Sequence, residues 1–355
     1  MFILSIQDEL KQAFILTRHG MRTPLKPFPN DPGYWACNQL NLYNFQYKNE
    51  NMKPTPGLRL HFDVKNKNPG SCFTGQLSDG GYQQHLELSK LWGQLYGKMF
   101  TNSSLRSTSI HRVRMSLNGQ MNDLNSYVNQ ASVPSSKYYD SAKVPSNCSW
   151  FKKYQQHIID TMEYHLPELN EVRQKSGWLD VTWEHLSDDF KARRAMQVKF
   201  PEYLTPEQIQ LGIDIDDETF RRQYYTESDP DLHLKALKVE IGPYMEDLMY
   251  YLQTKKFHIT SGHDTSVGPL AGVLIEGGWA QGQVRFASFI NVEVWSVNGA
   301  EVIKVRFRDG PDGTGDYYVQ KACGKIECTK VEFLEHIQKF KVTLKERDAL
   351  CNSKL

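Results

Sequence analysis

A histidine flanked by two arginines lies close to the start of the chain, in the stretch 18–24. Arg18 directly precedes His19, and Arg22 follows it three residues later, after a short apolar run at 13–16. Two guanidinium groups beside one imidazole are electrostatically unfavourable unless an anion lies among them. The stretch therefore indicates an anion site at the end of a buried strand. A basic loop that arose by chance is the alternative interpretation.

A second polar cluster, His263 and Asp264, follows another short β-type run that begins at Phe257. A helical pattern comes directly after it, so the order of strand, polar residues and helix occurs twice in the chain. In α/β proteins, side chains at such strand ends commonly form the site. The pair is also compatible with a fragment of a Ser-His-Asp triad, but the sequence has no Gly-x-Ser-x-Gly elbow.

The composition is that of a large globular protein without an overall charge bias. The 355 residues include 42 Lys+Arg and 41 Asp+Glu, which gives a net charge of +1. No global field therefore favours nucleic acid or an acidic membrane, and any anion site is local. No apolar run approaches the roughly 20 residues that a transmembrane helix needs. The apolar start at 1–6 is too short for a signal peptide and by itself favours a cytosolic protein or a trimmed mature chain.

Cysteine usage points instead to an oxidising compartment. The six cysteines are widely spaced, and no pair has the two-residue gap of a zinc knuckle. This pattern predicts a disulfide-bonded protein of the secretory pathway, with six buried reduced thiols as the alternative. Sequons at Asn102 and Asn147 are compatible with glycosylation.

Hydrophobic periodicity predicts an α/β protein with a central mixed sheet flanked by helices and a second, mainly helical inserted domain. The predicted division places residues 1–131 and 235–355 in a discontinuous α/β catalytic domain and residues 132–234 in the helical insertion. Within and after the insertion, the apolar spacing predicts helices at 150–165, 167–175, 183–198, 205–212, 216–226, 235–254 and 331–350. Residues 25–75 form a long irregular segment, which predicts a functional cover or a disordered loop.

Several motifs together resemble the histidine acid phosphatases, the larger branch (branch 2) of the histidine phosphatase superfamily. The motifs occur in the order of that family, and the resemblance extends from about residue 12 to the C-terminus. They are Arg18-His19-Gly20-x-Arg22-x-Pro24, the helix entry at 77–82, Arg106-Ser107-Thr108, His263-Asp264 and a late strand at 287–295. Met21, Ser109 and His111 depart from the family's usual residues. These departures bear on the choice of substrate more than on the catalytic mechanism.

The resemblance implies an acid phosphatase that hydrolyses phosphate monoesters through a covalent phosphohistidine. His19 would be the nucleophile and Asp264 the proton donor. The implied phosphate-binding residues are Arg18, Arg22, Arg106 and His263. The chemistry is consistent, because guanidinium groups offer planar donor pairs to phosphoryl oxygens and neighbouring cations keep an imidazole neutral in acid. Neither a metal nor a cofactor is expected, since the arginines would stabilise the transferred charge.

The resemblance also implies disulfides between Cys323 and Cys328 and between Cys148 and Cys351, which leaves Cys37 and Cys72 as the remaining pair. It implies a lumenal, secreted or lysosomal protein that acts on a small-molecule, glycan or lipid phosphomonoester. An enzyme specialised for a phosphorylated glycan sugar, a lysophospholipid or an inositol phosphate is the nearest alternative, with the choice expected in the loop 25–75. A non-catalytic secreted binding protein and a phosphate-transfer mutase of the smaller branch are the alternatives from other classes. The sequence leaves open whether the protein forms a homodimer.

Overall fold

The fold is seen in a computed structural model of the chain. It describes residues 8–37, 70, 72–122, 124, 131–134, 140–225, 229–277 and 282–354. The strands are β1 (Glu9–Arg18), β2 (Ser103–Ser107), β3 (Phe257–Gly262), β4 (Phe289–Val297), β5 (Ala300–Arg308), β6 (Asp316–Tyr318) and β7 (Glu327–Thr329). The helices are α1 (Asp79–Tyr96), α2 (His111–Gln120), α3 (Ser149–Asp160), α4 (Leu166–Ser176), α5 (Trp183–Met196), α6 (Pro206–Tyr224), α7 (Pro230–Thr254), α8 (Asp264–Leu274), α9 (Lys330–Gln338) and α10 (Leu344–Cys351).

The strands form one mixed seven-stranded sheet in the order β2-β3-β1-β4-β5-β6, with β7 paired to β5. β1 lies inside the sheet, parallel to β3 and antiparallel to β4. β2 is parallel to β3, whereas β5 pairs antiparallel with β4, β6 and β7. The predicted central mixed sheet flanked by helices is confirmed.

Alternation along β1 divides the core between the two faces of the sheet. Ala13 and Ile15 belong to a cluster with buried side chains of α1 and α2. Phe14 and Leu16 belong to the larger cluster on the opposite face, which includes side chains of α3 and α6–α10. Because β1 is covered on both faces, its second half reads as a continuous apolar run, and each large apolar side chain contributes about 1.5–3 kcal/mol through burial.

A separate apolar cluster holds α4, α5 and α6 together. Trp183 and Phe190 of α5 are fully buried in it, and Phe28, from the loop after the first motif, packs among them. The two helices predicted at 205–212 and 216–226 are one helix, α6. Gly212 does not interrupt it, since this glycine lies against the rings of Trp183 and Phe190, where a side chain would collide. The division of the chain into two domains at 132–234 remains a prediction.

The helix predicted at 331–350 is two helices, α9 and α10. Each begins at a threonine that caps the first turn and receives a return hydrogen bond from a glutamate three residues later. For α10 these residues are Thr343 and Glu346. The apolar periodicity continues through the break, so it does not reveal this second start signal.

The structure contains three disulfides, Cys37–Cys72, Cys148–Cys351 and Cys323–Cys328. The last two are the pairs that the family resemblance implied, and the first is the pair that remained. Most of the segment expected to choose the substrate, residues 38–69, lies outside the described residues, as does the chain start at 1–7. In the part of the chain that is described, no helix is long and apolar enough to cross a membrane.

Candidate active site

Three parallel strands end at the same edge of the sheet and bring the polar motifs together. Arg18, the last residue of β1, is in register with Gly262 of β3. His19 continues the pairing, because its amide donates to the Gly262 carbonyl at 3.1 Å. Thr108, directly after β2, donates its amide to Ser261 at 3.1 Å. His19, Thr108 and His263 therefore lie side by side at one edge, and the rings of His19 and His263 are 5.7 Å apart in an edge-on arrangement.

The turn after β1 requires glycine because helix α1 approaches it closely. A Cβ on Gly20 would lie 2.3 Å from the carbonyl oxygen of Gly81 in the first turn of α1. Ser78, the N-cap of α1, donates its amide to the Met21 carbonyl at 2.9 Å. The helix entry at 77–82 thus supports the loop that carries His19, which is a physical reason for the two motifs to occur together.

The imidazole of His19 is buried, and its contacts define which ring nitrogen carries the proton. Its Nδ1 lies 2.9 Å from the Gly20 carbonyl, which can only accept, so the neutral ring carries its proton on Nδ1. The lone pair is then on Nε2. Burial lowers the pKa of His19 well below its ordinary value, and the cations Arg112, Arg22 and Arg18 lower it further. The ring therefore remains neutral in mildly acidic solution.

Arg18 and Arg22 are held by their terminal nitrogens. Arg18 donates through Nη1 to the Val284 carbonyl and through Nη2 to Asp264 at 2.8 Å. Arg22 donates through Nη1 to the Thr23 carbonyl at 3.0 Å and through both Nη atoms to Asp188. The Nε–H groups of Arg18 and Arg22 are buried and meet no hydrogen-bond acceptor within the described ranges. Buried charged donors without acceptors indicate the place of an anion.

Asp264 begins helix α8 and lies among cations. It accepts from Arg18 at 2.8 Å, from the Gln283 amide at 2.8 Å and from the Thr265 backbone at 2.8 Å. Burial alone would raise the pKa of Asp264, but Arg18 and the other cations outweigh burial and lower it. The carboxyl is therefore ionised in the free protein, in contrast to the protonated carboxyl that the sequence analysis assumed.

His263 faces Thr108 across the strand ends, with Nε2 3.0 Å from the threonine hydroxyl. Burial lowers the pKa of His263 well below its ordinary value, and Arg112 contributes further. His263 is thus a neutral hydrogen-bonding residue beside His19, at a position that suits its predicted contact with a phosphoryl oxygen.

Arg106 is not part of this cluster, which corrects its predicted place among the phosphate-binding residues. Its side chain leaves β2 toward α7, where Nη1 donates to Asp247 at 2.5 Å and Nη2 to Asp140 at 2.9 Å. Ser141 accepts a third hydrogen bond at 2.5 Å. Both terminal nitrogens are therefore engaged in a buried ion-pair network. Arg106 lies within β2, two residues before Thr108, the residue that lies beside His19 and His263 at the edge of the sheet.

The third arginine near His19 is Arg112, which the sequence analysis did not select. Arg112 lies in the first turn of α2, and its charge is the strongest cationic influence on the pKa of both His19 and His263. Burial and then the charge of Arg22 lower the pKa of Arg112 to about 9, so it stays cationic below neutral pH. Its Nε–H is also buried and without an acceptor among the described residues. Its place at the start of the helix that follows the β2 strand end was the available signal.

The amino-terminal part of the chain matches a known family. Residues 9–165 match the profile of the histidine phosphatase superfamily (branch 2). A curated protein similar to this chain is counting factor 60 of Dictyostelium discoideum, which is 24% identical over 366 residues that cover 92% of this chain and 85% of the relative.

Solved structures share the fold of this chain over nearly its whole length. The phytase of Citrobacter braakii has a TM-score of 0.59 and 16% identity, covering 98% of this chain and 100% of that chain. The Hafnia alvei phytase in its apo form has a TM-score of 0.60 and 12% identity, with coverages of 99% and 100%. A multiple inositol polyphosphate phosphatase of Bifidobacterium longum has a TM-score of 0.54 and 9% identity, with coverages of 93% and 92%. At these identities the solved structures show the fold of the chain.

A cavity of about 510 Å³ opens beside Arg18. Part of its wall is apolar and consists of Met21, Ala195, Ile213, Phe286 and Pro311. Phe286 continues into the motif, because its ring lies 4.3 Å from the guanidinium carbon of Arg18 and 5.8 Å from the His19 ring. The cavity is therefore suited to hold the organic part of a molecule whose anionic group lies at His19.

The cations that line the cavity are largely engaged by acidic partners. Lys191 contacts Asp216 and Asp217, each at 2.7 Å. Arg285 pairs with Asp309 at 3.3 Å and with Asp312 at 2.9 Å. Arg194, the third of these cations, hydrogen-bonds Gln210 at 3.0 Å. Within the described ranges, no group of three or more His, Cys, Asp or Glu side chains is placed to hold a metal ion.

Proposed function

We propose that the protein hydrolyses phosphate monoesters by forming a phosphohistidine on His19. The observation that carries this proposal is a buried neutral imidazole with three arginines around it, whose Nε–H groups have no acceptor among the described residues. Such a set supplies both a nucleophile and fixed donors for an anion. The arginines of the site are Arg18, Arg22 and Arg112.

In the first step, Nε2 of His19 attacks phosphorus and the bond between phosphorus and the ester oxygen breaks. The leaving oxygen takes a proton from the carboxyl of Asp264, which becomes protonated as the substrate binds. In the second step, water attacks phosphorus, the bond from phosphorus to Nε2 breaks, and the water proton passes to Asp264. Phosphate and free imidazole result. The arginines balance the phosphoryl charge in both in-line steps.

The preferred leaving group, in this proposal, has an apolar face and no second phosphate. The cavity beside Arg18 is walled partly by Phe286 and Ile213, and its charged side chains Lys191 and Arg285 already have carboxylate partners. An aryl, lysophospholipid or glycan monophosphate suits this lining better than an inositol polyphosphate. The corresponding comparison is kcat/KM for 1-naphthyl phosphate against myo-inositol hexakisphosphate, and a preference for the polyphosphate would contradict this choice.

We place this activity in an oxidising lumen of the secretory pathway. The three disulfides suit such a compartment. Asn102 and Asn147, the two sequon asparagines, are exposed and so available to a glycan.

The experiment is to measure hydrolysis of 1-naphthyl phosphate at acidic pH with a chelator present, and then to trap the intermediate. Labelled substrate is mixed with enzyme, quenched in alkaline detergent to preserve phosphohistidine, and the labelled peptide is mapped. We expect the label on the peptide that contains His19 and no label in His19→Ala. His111→Asn, a change at a neighbouring histidine, is the matched control and should retain the label.

The outcomes separate the candidate functions. Folded wild-type protein without turnover between pH 3 and 8 would favour the non-catalytic binding protein. Label at another residue, or hydrolysis by His19→Ala at the wild-type rate, would contradict the mechanism. Transfer of the phosphoryl group to a second substrate in preference to water would indicate the mutase.

A further inference from the structure

A carboxylate from the helical segment reaches into the cluster around His19. Asp188 lies on α5, and its Oδ1 is 2.6 Å from Nη2 of Arg22, while its Oδ2 is 3.3 Å from Nη1. The same Oδ2 accepts the backbone amide of Leu25 at 2.8 Å. The carboxylate thus holds both the arginine side chain and the backbone that follows the first motif.

This contact fixes the plane of the Arg22 guanidinium. Asp188 engages both terminal nitrogens, and the Thr23 carbonyl accepts from Nη1 as well, at 3.0 Å. The nitrogen left over is Nε, which is buried and has no acceptor in the described part of the chain. A fork-to-fork ion pair specifies orientation as well as charge. Asp188 covers the edge of the guanidinium formed by Nη1 and Nη2. The edge that a ligand can approach is therefore the one that carries Nε.

Asp188 is also a counter-charge for the cluster. Arg18, Arg22 and Arg112 bring three positive charges close together, and Asp264 supplies one negative charge among them. Burial would raise the pKa of Asp188, but Arg22 outweighs burial and keeps it ionised. With Asp188, the cluster holds three cations and two carboxylates. Binding a dianion beside it, with Asp264 protonated, brings the local charge to about neutral.

Helix α5 is itself held firmly against the loop that follows the motif. Asp189, the next residue, accepts from Arg193 on the same helix, and Arg193 donates through Nη2 to Asp31 at 2.6 Å. All three side chains are buried. Asp188 therefore projects from a rigid support, as precise positioning of a catalytic arginine requires.

We propose that Asp188 is a positioning residue of the phosphate site, which orients Arg22 so that its Nε–H contacts the transferred phosphoryl group. The inference rests on the proposed function and adds that the helical segment supplies part of the active site. The role is specific to Arg22, because the described hydrogen bonds of Asp188 go to Arg22 and to the Leu25 backbone, and none goes to His19.

The test compares Asp188→Ala and Asp188→Asn with wild type in hydrolysis of 1-naphthyl phosphate and in inhibition by orthovanadate, which mimics the five-coordinate transition state. We expect Asp188→Ala to lower kcat/KM about 10- to 100-fold, as a misplaced catalytic group does. Vanadate affinity should fall by a similar factor, because transition-state analogues report the same contacts. Asp188→Asn keeps one acceptor and should give an intermediate loss.

Glu218→Gln is the matched control, since Glu218 on α6 also binds an arginine in a bidentate pair, but not one of the arginines around His19. Arg221 donates from Nε to its Oε2 at 2.8 Å and from Nη2 to its Oε1 at 2.8 Å. It should retain wild-type kcat/KM and vanadate affinity. A merely structural role for Asp188 would lower the fraction of active protein and leave the vanadate constant unchanged, which would overturn the proposal. Wild-type constants in Asp188→Ala would also overturn it. Failure of the wild-type enzyme to hydrolyse any monoester would instead count against the proposed function.

Discussion

Two arginines near the end of β2, Arg106 and Arg112, show how residue type and residue position contribute differently to a site. Arg106 and Arg112 are six residues apart, and both are arginines beside the same strand end. The strand places Arg106 against Asp140 and Asp247, whereas the first turn of α2 places Arg112 near His19. The sequence analysis selected Arg106 on the motif that the family resemblance supplied, whereas the side chain near His19 belongs to Arg112.

Arg112→Lys and Arg106→Lys should therefore differ sharply. Lysine keeps the charge but offers no planar donor edge, so Arg112→Lys should lower kcat/KM about 10- to 100-fold. Arg106→Lys should change kcat/KM less than about threefold, because its partners are structural carboxylates. The measurement is steady-state hydrolysis with circular dichroism to confirm folding. Equal losses in the two variants would show that Arg106 acts on the substrate.

The ionised state of Asp264 has a consequence for the pH dependence of the reaction. Because Arg18 and its neighbours lower the pKa of Asp264, the free enzyme has no proton on this carboxyl at pH 5. The proton for the leaving group then enters with the substrate monoanion, whose second pKa is about 6. We expect kcat/KM to fall as pH rises through the pKa of the substrate. On the acid side it should stay level until His19 protonates, well below its ordinary pKa.

The check is a pH profile of kcat/KM for an aryl and an alkyl monophosphate, which differ in their second phosphate pKa. The alkaline limb should move with the substrate, to lower pH for the more acidic aryl ester. A limb at the same pH for both esters would mean that an enzyme group with a raised pKa is titrating.

At the scale of elements, helix positions were largely predictable and the contacts between helices were not. The periodicity predicted a helix at 183–198, and α5 spans Trp183–Met196. The contact of Asp188 with Arg22 joins segments that are 166 residues apart, and no local pattern encodes it. The apolar periodicity also predicted two helices where the structure has α6 alone. Gly212 lies inside α6, where it packs against the rings of Trp183 and Phe190, and this contact is not visible in the local sequence.

Helix α7 contains a buried carboxyl that makes the folded state sensitive to pH. Glu240 is buried, its Oε1 meets the Tyr224 hydroxyl of α6 at 3.2 Å, and its Oε2 has no partner within the described ranges. Burial raises the pKa of Glu240 to about 8. The unfolded chain ionises this group near its ordinary value, so the stability from the neutral form is complete in acid and is lost as pH rises toward 8.

Glu240→Gln removes this titration while keeping the shape and one acceptor. We expect the melting temperature of the variant, relative to wild type, to increase steadily from pH 5 to pH 8, since only wild type must bury a group that tends to ionise. Glu246→Gln, at a more exposed position on the same helix, is the control and should show no such trend. A constant difference between Glu240→Gln and wild type across this range would contradict the prediction.

At the scale of the molecule, the family resemblance anticipated features that local chemistry alone left open. The cysteine spacing allowed several connectivities, and the resemblance selected the pairs found, including Cys148–Cys351 across 203 residues. The order of the strands, with β1 inside the sheet, likewise depends on pairing between segments that are distant in the sequence. Substrate choice was least predictable, because a cavity wall is assembled from distant residues such as Met21, Ile213 and Phe286.

The interior position of β1 bears on how this protein is made. Ala13 pairs with Phe257 of β3 and with Glu293 of β4, so both neighbours of the strand that carries His19 are synthesised hundreds of residues after it. Contacts this distant in sequence form late and slowly. A nascent chain that has reached residue 165 already contains the whole segment that matches the family profile, yet it lacks β3, His263 and Asp264. The proposed phosphate site is thus complete only when the ribosome has passed the end of β3, because His19 cannot meet His263 and Asp264 before then.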